Sequence, residues 1–196
     1  MIMMIEMTRV WAMPNKWTFT IKPIKELLRK EMGPGSWIDP FAGMHSPAQL
    51  RNDLNPESNA QYHMDALDFI KIQEDESFDG LLFDPPYSVR QVAECYKGIG
   101  IKVTQETTRM TFYSNIKNEI SRIIKPGGKV ISCGWNSMGM GKNRGFKIKR
   151  ILLVPHGAHK NDTIVTVEIK PKQMKLDLLG SCREVYETSP KLGEFF

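Results

Sequence analysis

The apolar run Phe78–Phe83 (FDGLLF) constrains the fold most, because Asp84-Pro85-Pro86-Tyr87 follows it directly. A short apolar run closed by a chain breaker predicts a buried strand, and consecutive prolines end that strand because they lack backbone N–H groups. Open α/β sheets bind their ligands at the carboxyl ends of the strands. Residues 84–87 are therefore predicted to lie at a ligand site.

Elsewhere, short apolar runs alternate with stretches of helical periodicity, which predicts an α/β sheet. Residues 146–154 and 163–170 predict an antiparallel hairpin, since Ile164, Val165, Val167 and Ile169 in its second arm follow an alternating pattern. Residues 125–128 (KPGG) predict a turn before the next strand. The other predicted strands are 36–41, 49–54, 61–64 and 129–133, and the predicted helices are 24–30, one beginning at 66–70, and 115–124.

The composition favours a single globular domain that remains in a reducing compartment. The chain has 196 residues and a formal net charge of +5, which suits a polyanionic partner. Its three cysteines form no CxxC pair, so neither a disulfide framework nor a zinc site is indicated. The apolar N-terminus lacks a basic leader, and no apolar run reaches the roughly 18–20 residues that span a bilayer. We therefore expect a cytoplasmic protein with one domain over residues 1–170 and a polar tail over 171–196.

The segment Asp84-Pro85-Pro86-Tyr87 has the groups that methylation of an amino nitrogen on a nucleobase requires. That nitrogen is a poor nucleophile, so hydrogen-bond acceptors must hold its N–H groups while the methyl group is transferred. A carboxylate beside a carbonyl supplies the acceptors, and an aromatic ring can stack on an extruded base. The alternative is an ordinary strand-ending turn, with Asp84 as a cap and the prolines as breakers.

These four residues match the catalytic motif of the DNA amino-methyltransferases, which are S-adenosylmethionine-dependent enzymes of class I, and Asp at the first position resembles the adenine-N6 type. The resemblance extends from about residue 17 to residue 170. It implies a mostly parallel seven-stranded sheet with a C-terminal antiparallel hairpin and helices on both faces. It also implies that Asp84 and the Pro85 carbonyl bind the amino group while Tyr87 stacks on the ring. Because some RNA guanine-N2 methyltransferases share the tetrapeptide, an RNA base remains an alternative target, and a non-catalytic nucleic-acid-binding protein with this fold is a further alternative.

The same resemblance assigns a cofactor site to the segment after the first predicted strand. Asp39, Phe41, Ala42 and Gly43 match the cofactor motif, although the usual second glycine is replaced by His45. Small residues at that turn let the backbone approach a ligand closely.

Three further positions are expected to complete the cofactor site. Asp53 follows the second strand, where a carboxylate commonly binds ribose hydroxyls, although an Asx turn before Pro56 is the alternative. Asp65 and the adjacent Ala66 are expected near the adenine ring, with Asp65 also able to cap the next helix. Lys22 lies in a segment that resembles the one covering the methionine carboxylate.

No separate target-recognition domain fits into this length, so nucleic-acid contacts must come from loops. Candidates for phosphate contacts are Arg90 and Lys97 after the catalytic segment, and Lys142 and Arg144 in the glycine-rich stretch 134–145. That stretch is predicted to be either a mobile loop with Trp135 or Asn136 at its pocket end or an ordinary surface loop. We expect DNA in preference to RNA as the partner, no membrane, and a homodimer or a partner subunit as a source of specificity.

No metal is expected, although one segment of the chain contains histidines. His156, His159 and Asp162 lie in HGAHKND, and without a cysteine partner a hydrogen-bonded turn is favoured over a metal site.

Overall fold

The computed structural model describes residues 4–87, 91–92, 110–157 and 161–172, and these form one seven-stranded sheet with helices on both faces. The strands are β1 (Glu6–Arg9), β2 (Trp37–Asp39), β3 (Leu50–Arg51), β4 (Phe78–Phe83), β5 (Ile124–Gly134), β6 (Lys147–Val154) and β7 (Thr163–Ile169). The helices are α1 (Lys22–Glu31), α2 (Ala66–Lys71) and α3 (Met110–Ile123), with 3₁₀ turns at Thr18–Thr20 and Lys142–Arg144.

The sheet has the strand order β1-β6-β7-β5-β4-β2-β3. Only β7 pairs antiparallel with its neighbours, and all other pairs of the sheet are parallel. The chain passes outward from β2 to β3 and then returns to the other side of β2 as β4, so the strand order reverses at the β2–β4 pair. Open α/β sheets place their ligand crevice at such a reversal point. The predicted fold class, with its C-terminal hairpin, is confirmed.

Alternation along the strands divides the core into two clusters. Leu82 and Ile131 point to the face covered by α1, whereas Leu81 and Val130 point to the face covered by α2 and α3. Trp37 packs so closely over Gly80 that a Cβ at that position would lie 2.5 Å from the indole ring. Glycine in the middle of β4 therefore lets β2 and β4 carry a large aromatic side chain between them.

Several predicted strand boundaries are wrong. Residues 61–64 contribute only a single bridge, between Tyr62 and Asn52, and the seventh strand is instead β1, which extends the edge of the sheet beside β6. Residues 36–41 and 49–54 contain strands of only three and two residues. The predicted turn at 125–128 lies within β5 as an irregularity, with Gly127 at φ 88°.

Helix α3 begins at Met110, five residues before its predicted start. Within the described residues, no helix is long and apolar enough to cross a bilayer. Of the expected tail over 171–196, only residues 171 and 172 are described, so that boundary stays a prediction.

Candidate active site

A cavity of about 490 Å³ opens at the carboxyl ends of β2, β3 and β4, and we call it the strand-end cavity. Its walls include both the predicted catalytic segment and most of the predicted cofactor residues, although these are spread over more than forty positions of sequence. The predicted residues that line it are Phe41, Ala42, Gly43, Asp53, Asp65, Ala66, Asp84, Pro85, Pro86 and Tyr87.

The catalytic segment is held by contacts at both of its ends. The Tyr87 hydroxyl donates a hydrogen bond to Asp84 Oδ1, and the Tyr87 backbone N–H donates to Gln91 Oε1 at 2.7 Å. The Tyr113 hydroxyl donates to the Pro86 carbonyl at 2.7 Å. The Tyr87 ring lies 5.5 Å from the ring of Trp135, which is 42% exposed, so the aromatic residue that contacts Asp84 has a second aromatic ring on its other side.

Burial raises the pKa of Asp84 to about 6, and a hydrogen bond with the Thr18 side chain opposes that shift. The carboxylate is consequently ionised above that pH, while its half-buried position keeps it poorly hydrated. An ionised, poorly hydrated carboxylate is a strong hydrogen-bond acceptor for an N–H group.

Asp39 supports the turn after β2 and does not line the strand-end cavity. Its Oδ1 accepts the Phe41 N–H at 2.9 Å and its Oδ2 accepts the Ser46 hydroxyl at 2.6 Å. Burial raises the pKa of Asp39 to about 7, against these two hydrogen bonds, and the negative charges of Asp84 and Asp53 add to the increase. Asp39 thus positions the turn from one layer behind the wall, and the cofactor contact expected of it stays a prediction.

Asp53 fixes the next part of the wall by joining two turns. Its Oδ2 accepts the Gly43 N–H at 2.7 Å and its Oδ1 accepts the Asn55 N–H at 2.8 Å. Gly43 has φ 53°, in the left-handed region that favours glycine, which explains the residue type at this point of the turn.

Asn52 is a buried structural residue that sequence reasoning did not single out. Its side chain donates to the carbonyls of Pro40 and Met64, at 3.1 and 3.0 Å, and accepts the Met64 N–H at 3.1 Å. One amide thus ties the end of β2 to the segment before α2. A polar side chain directly after a strand was the available signal, but its partners are remote in sequence.

Asp65 caps α2, as one of its two predicted roles requires. Its Oδ1 accepts the Leu67 N–H at 2.8 Å, and the half-buried carboxylate also faces the strand-end cavity. Ala66 is buried beside it and contributes a small, apolar part of the wall.

Lys22 is exposed in the first turn of α1 and is not among the residues lining the cavity. The segment before α1 provides Lys16, Trp17, Thr18 and Phe19 to the wall instead. The Lys16 ammonium lies 4.5 Å from the centroid of the Trp17 ring, and that ring lies edge-on to His45 at 5.2 Å. The cofactor contact expected of Lys22 stays a prediction.

Of the four cations predicted to contact phosphates, the structure describes the side chain of Arg144 alone. Its guanidinium donates to Asn118 at 2.9 Å, to the Met140 carbonyl at 2.8 Å, and to both the carbonyl and the hydroxyl of Ser114. These bonds hold stretch 134–145 on α3, and the phosphate contact expected of Arg144 stays a prediction. Arg90 and Lys97 lie outside the described residues, as does the Lys142 side chain.

Stretch 134–145 is also held by a contact with β7. Met140 is fully buried, and its backbone N–H donates to Glu168 Oε2 at 2.8 Å. At least this part of the stretch packs as a surface loop on the core, whereas Trp135 at its start faces Tyr87.

His156 is a buried turn residue. Its Nδ1 lies 2.8 Å from the Ala12 carbonyl and its Nε2 lies 2.8 Å from the Thr163 hydroxyl, so both ring nitrogens are engaged. No group of three potential metal-ligating side chains occurs in the part of the chain that the structure describes. His159 lies outside that part.

No protein-family model and no curated protein matches the sequence. Among solved structures, the chain is similar to an N-methyltransferase, NodS of Bradyrhizobium japonicum WM9, with 11% identity, 77% of this chain and 96% of that chain covered, and a TM-score of 0.51. It is similar to 1,6-didemethyltoxoflavin-N1-methyltransferase of Burkholderia thailandensis, whose structure contains 1,6-didemethyltoxoflavin and S-adenosylhomocysteine. The identity is 13%, the match covers 77% of this chain and 78% of that chain, and the TM-score is 0.51. It is also similar to TrmN of Thermus thermophilus, with 16% identity, 76% of this chain but 49% of that chain covered, and a TM-score of 0.51. At such identities the similarity shows the fold, which is that of the class I methyltransferases.

Proposed function

We propose that this protein transfers a methyl group from S-adenosylmethionine to the exocyclic amino nitrogen of a nucleobase, with adenine N6 in DNA as the favoured target. The observation that carries the proposal is the position of the Asp84-Pro85-Pro86-Tyr87 corner on the wall of the strand-end cavity. Asp84 is there a half-buried acceptor with a pKa of about 6, in contact with Tyr87.

The residues of the cavity fit the proposed cofactor. Each oxygen of Asp53 accepts one backbone N–H and can accept a second hydrogen bond, which suits the two hydroxyls of a ribose. Phe41, Leu54 and Met64 add apolar wall for an adenine ring. Among the described lining residues, three carboxylates accompany a single lysine, Lys16, and this negative balance suits a sulfonium cation. The names of the three similar structures, two of them N-methyltransferases, add support for methyl transfer.

When bound, S-adenosylmethionine supplies an electrophilic methyl group. The protein has to hold the acceptor nitrogen in line with that methyl group and make its lone pair available. Asp84 and the Pro85 carbonyl accept the two N–H groups, and Asp84 can take the proton that the nitrogen loses after transfer. The Tyr87 hydroxyl now donates to Asp84, so an entering amino group replaces that hydrogen bond and frees the tyrosine ring to stack.

One experiment, with the candidate acceptors in parallel reactions, distinguishes the possible acceptors. The protein is incubated with methyl-labelled S-adenosylmethionine and DNA, RNA or free heterocyclic amines in separate reactions, and the nucleosides are identified by mass spectrometry. N6-methyl-2′-deoxyadenosine from DNA supports the full proposal, and a methylated nucleoside from RNA supports the alternative target instead. Labelled cofactor that binds without transfer to any acceptor contradicts an enzymatic function.

The variant Asp84→Ala is expected to lose transfer, with a decrease in kcat of about 10²–10⁴-fold, because the acceptor for the amino group is gone. Binding of S-adenosylhomocysteine should be nearly unchanged, as calorimetry can measure. Asp68→Ala is the matched control, since it removes an exposed carboxylate on α2 that lies outside the cavity. Normal turnover by Asp84→Ala would contradict the catalytic assignment.

A further inference from the structure

A second cavity, of about 280 Å³, lies beside α1, and we call it the α1 cavity. Phe19 and His45 line both cavities, so the two are contiguous around the segment before α1. Neither the predicted catalytic residues nor the predicted cofactor residues line the α1 cavity. The proposed methyl transfer therefore leaves it without a role.

The floor of the α1 cavity is apolar. Phe19 and Leu28 are buried at 7% and 3% exposure, and the half-buried Met32 and the exposed Pro47 complete the surface. An aromatic ring among aliphatic side chains is the type of surface on which unstacked nucleobases lie in proteins that bind single strands.

The rim of the α1 cavity is basic. Lys25 and Arg29 stand four positions apart on α1, hence on the same helix face, and both are exposed. His45 faces them from the turn after β2. Within the described part of the chain, neither Lys25 nor Arg29 forms an ion pair, so both can contact an anion.

We propose that the α1 cavity binds the nucleotide next to the target base, with its base on the apolar floor and its phosphate on Lys25 and Arg29. This inference rests on the proposed function, because it requires a target base in the strand-end cavity. A strand whose target base enters the strand-end cavity past Phe19 and His45 places its neighbouring nucleotide over α1. Phosphate contacts thus come from α1, where sequence reasoning had assigned none.

The test compares two charge reversals on one helix, Arg29→Glu and Lys30→Glu. Both side chains are exposed and both variants change the net charge by the same amount, but Lys30 lines neither cavity. Binding of a fluorescein-labelled single-stranded oligodeoxynucleotide is measured by anisotropy at several salt concentrations, with S-adenosylhomocysteine present. Arg29→Glu should weaken binding at least about fivefold and reduce the salt slope by about 0.7, the value for one phosphate contact on a single strand. Lys30→Glu should weaken it less than about twofold, since it alters only the general field.

Equal losses in the two variants, or no loss in Arg29→Glu, would overturn the α1 site. An unfolded variant is excluded by circular dichroism, and Lys25→Glu provides a second reversal at the same rim. In methylation assays, Arg29→Glu should raise the KM for the oligonucleotide and leave kcat and the KM for S-adenosylmethionine unchanged. Wild-type protein that binds the oligonucleotide through Arg29 but transfers no methyl group would contradict the proposed function and leave the α1 site supported. Wild-type protein that does not bind the oligonucleotide overturns both.

Discussion

Two buried acidic sites in this molecule have similar side chains and opposite electrostatic surroundings. Glu31, at the end of α1, is 1% exposed and hydrogen bonds with Lys129, Lys149 and Arg150, each at 3.0 Å. Asp39 is fully buried behind the strand-end cavity, and its side chain accepts hydrogen bonds from a hydroxyl and a backbone N–H. Within the described residues, no lysine or arginine forms an ion pair with Asp39 or Asp84.

The pKa values follow these neighbours. Burial favours the neutral form of Glu31, but the hydrogen bonds and charges of Lys129 and Lys149 outweigh it and lower its pKa to about 2. Burial raises the pKa of Asp39 to about 7 and that of Asp84 to about 6, because no cation among the described residues offsets the desolvation. Glu31 already has cationic partners within the protein, whereas a cationic ligand would stabilise the ionised forms of Asp39 and Asp84.

The largest expected effect is on stability, at Glu31. Glu31→Gln removes the negative charge that Lys129, Lys149 and Arg150 share, and breaking a buried ion pair in this way costs about 3 kcal/mol. We expect the free energy of unfolding in urea at pH 7 to fall by that amount. Because the folded-state pKa is lowered, the contribution of Glu31 is present above its ordinary pKa and is lost as pH falls toward 2.

Glu6→Gln is the matched control, since Glu6 pairs with Arg150 but is 50% exposed in its side chain. Its loss should cost less than about 1 kcal/mol. Methyl transfer by folded Glu31→Gln should be unchanged, because Glu31 lies outside the strand-end cavity. If Glu31→Gln were fully folded and yet lost methyl transfer, the two acidic sites would be coupled.

A smaller effect is expected in the discrimination between cofactor and product. S-adenosylmethionine carries a sulfonium charge that S-adenosylhomocysteine lacks, so the ionised acids should favour the former. At pH 8, where Asp39 and Asp84 are both ionised, we expect a preference of about tenfold, or about 1.4 kcal/mol. Below pH 5 both acids are protonated and the preference should decrease, as calorimetry of each ligand can show.

Asp84→Ala provides the comparison, because it should lower the preference at pH 8 and flatten its dependence on pH. Glu31→Gln should leave the whole profile unchanged. A ratio that is the same at pH 5 and pH 8 in the wild type would show that the buried acids do not interact with the sulfonium.

The sequence could predict features that local pattern determines, and it could not predict those that depend on remote partners. The strand Phe78–Phe83 and its closing tetrapeptide were correctly placed, because local apolar pattern and proline chemistry determine both. Strand β1 was missed because all four of its residues are exposed, which gives no apolar pattern. Residues 61–64 are predicted as a strand, but their backbone pairing with residues 51–53 stops at Tyr62, and the Met64 N–H donates to the Asn52 side chain instead of to a neighbouring strand.

The sequence could not predict which charged groups lie next to each acid, because those groups are remote from it in the chain. Lys129 and Lys149 are about a hundred positions from Glu31, so nothing local distinguishes that acid from any helix-end glutamate. Asp39 matched a cofactor motif, yet its contacts with Phe41 and Ser46 direct it into the turn. Residue type was predictable at these positions, and the direction in which each carboxylate points was not.

The smallest expected effect is at Asp39. Because its folded-state pKa is raised to about 7, the folded protein retains a proton that the unfolded chain has released, and wild-type stability declines as pH rises from about 4 to 7. Asp39→Asn keeps an acceptor for the Phe41 N–H and a polar contact with Ser46, but has no charge to desolvate. We expect its free energy of unfolding in urea to exceed that of the wild type by about 1 kcal/mol at pH 8 and by less at pH 5, which lies part-way through that decline. If Asp39→Asn were less stable than the wild type at pH 8, the carboxylate would have a cation partner after all, and Asp39 would belong with Glu31.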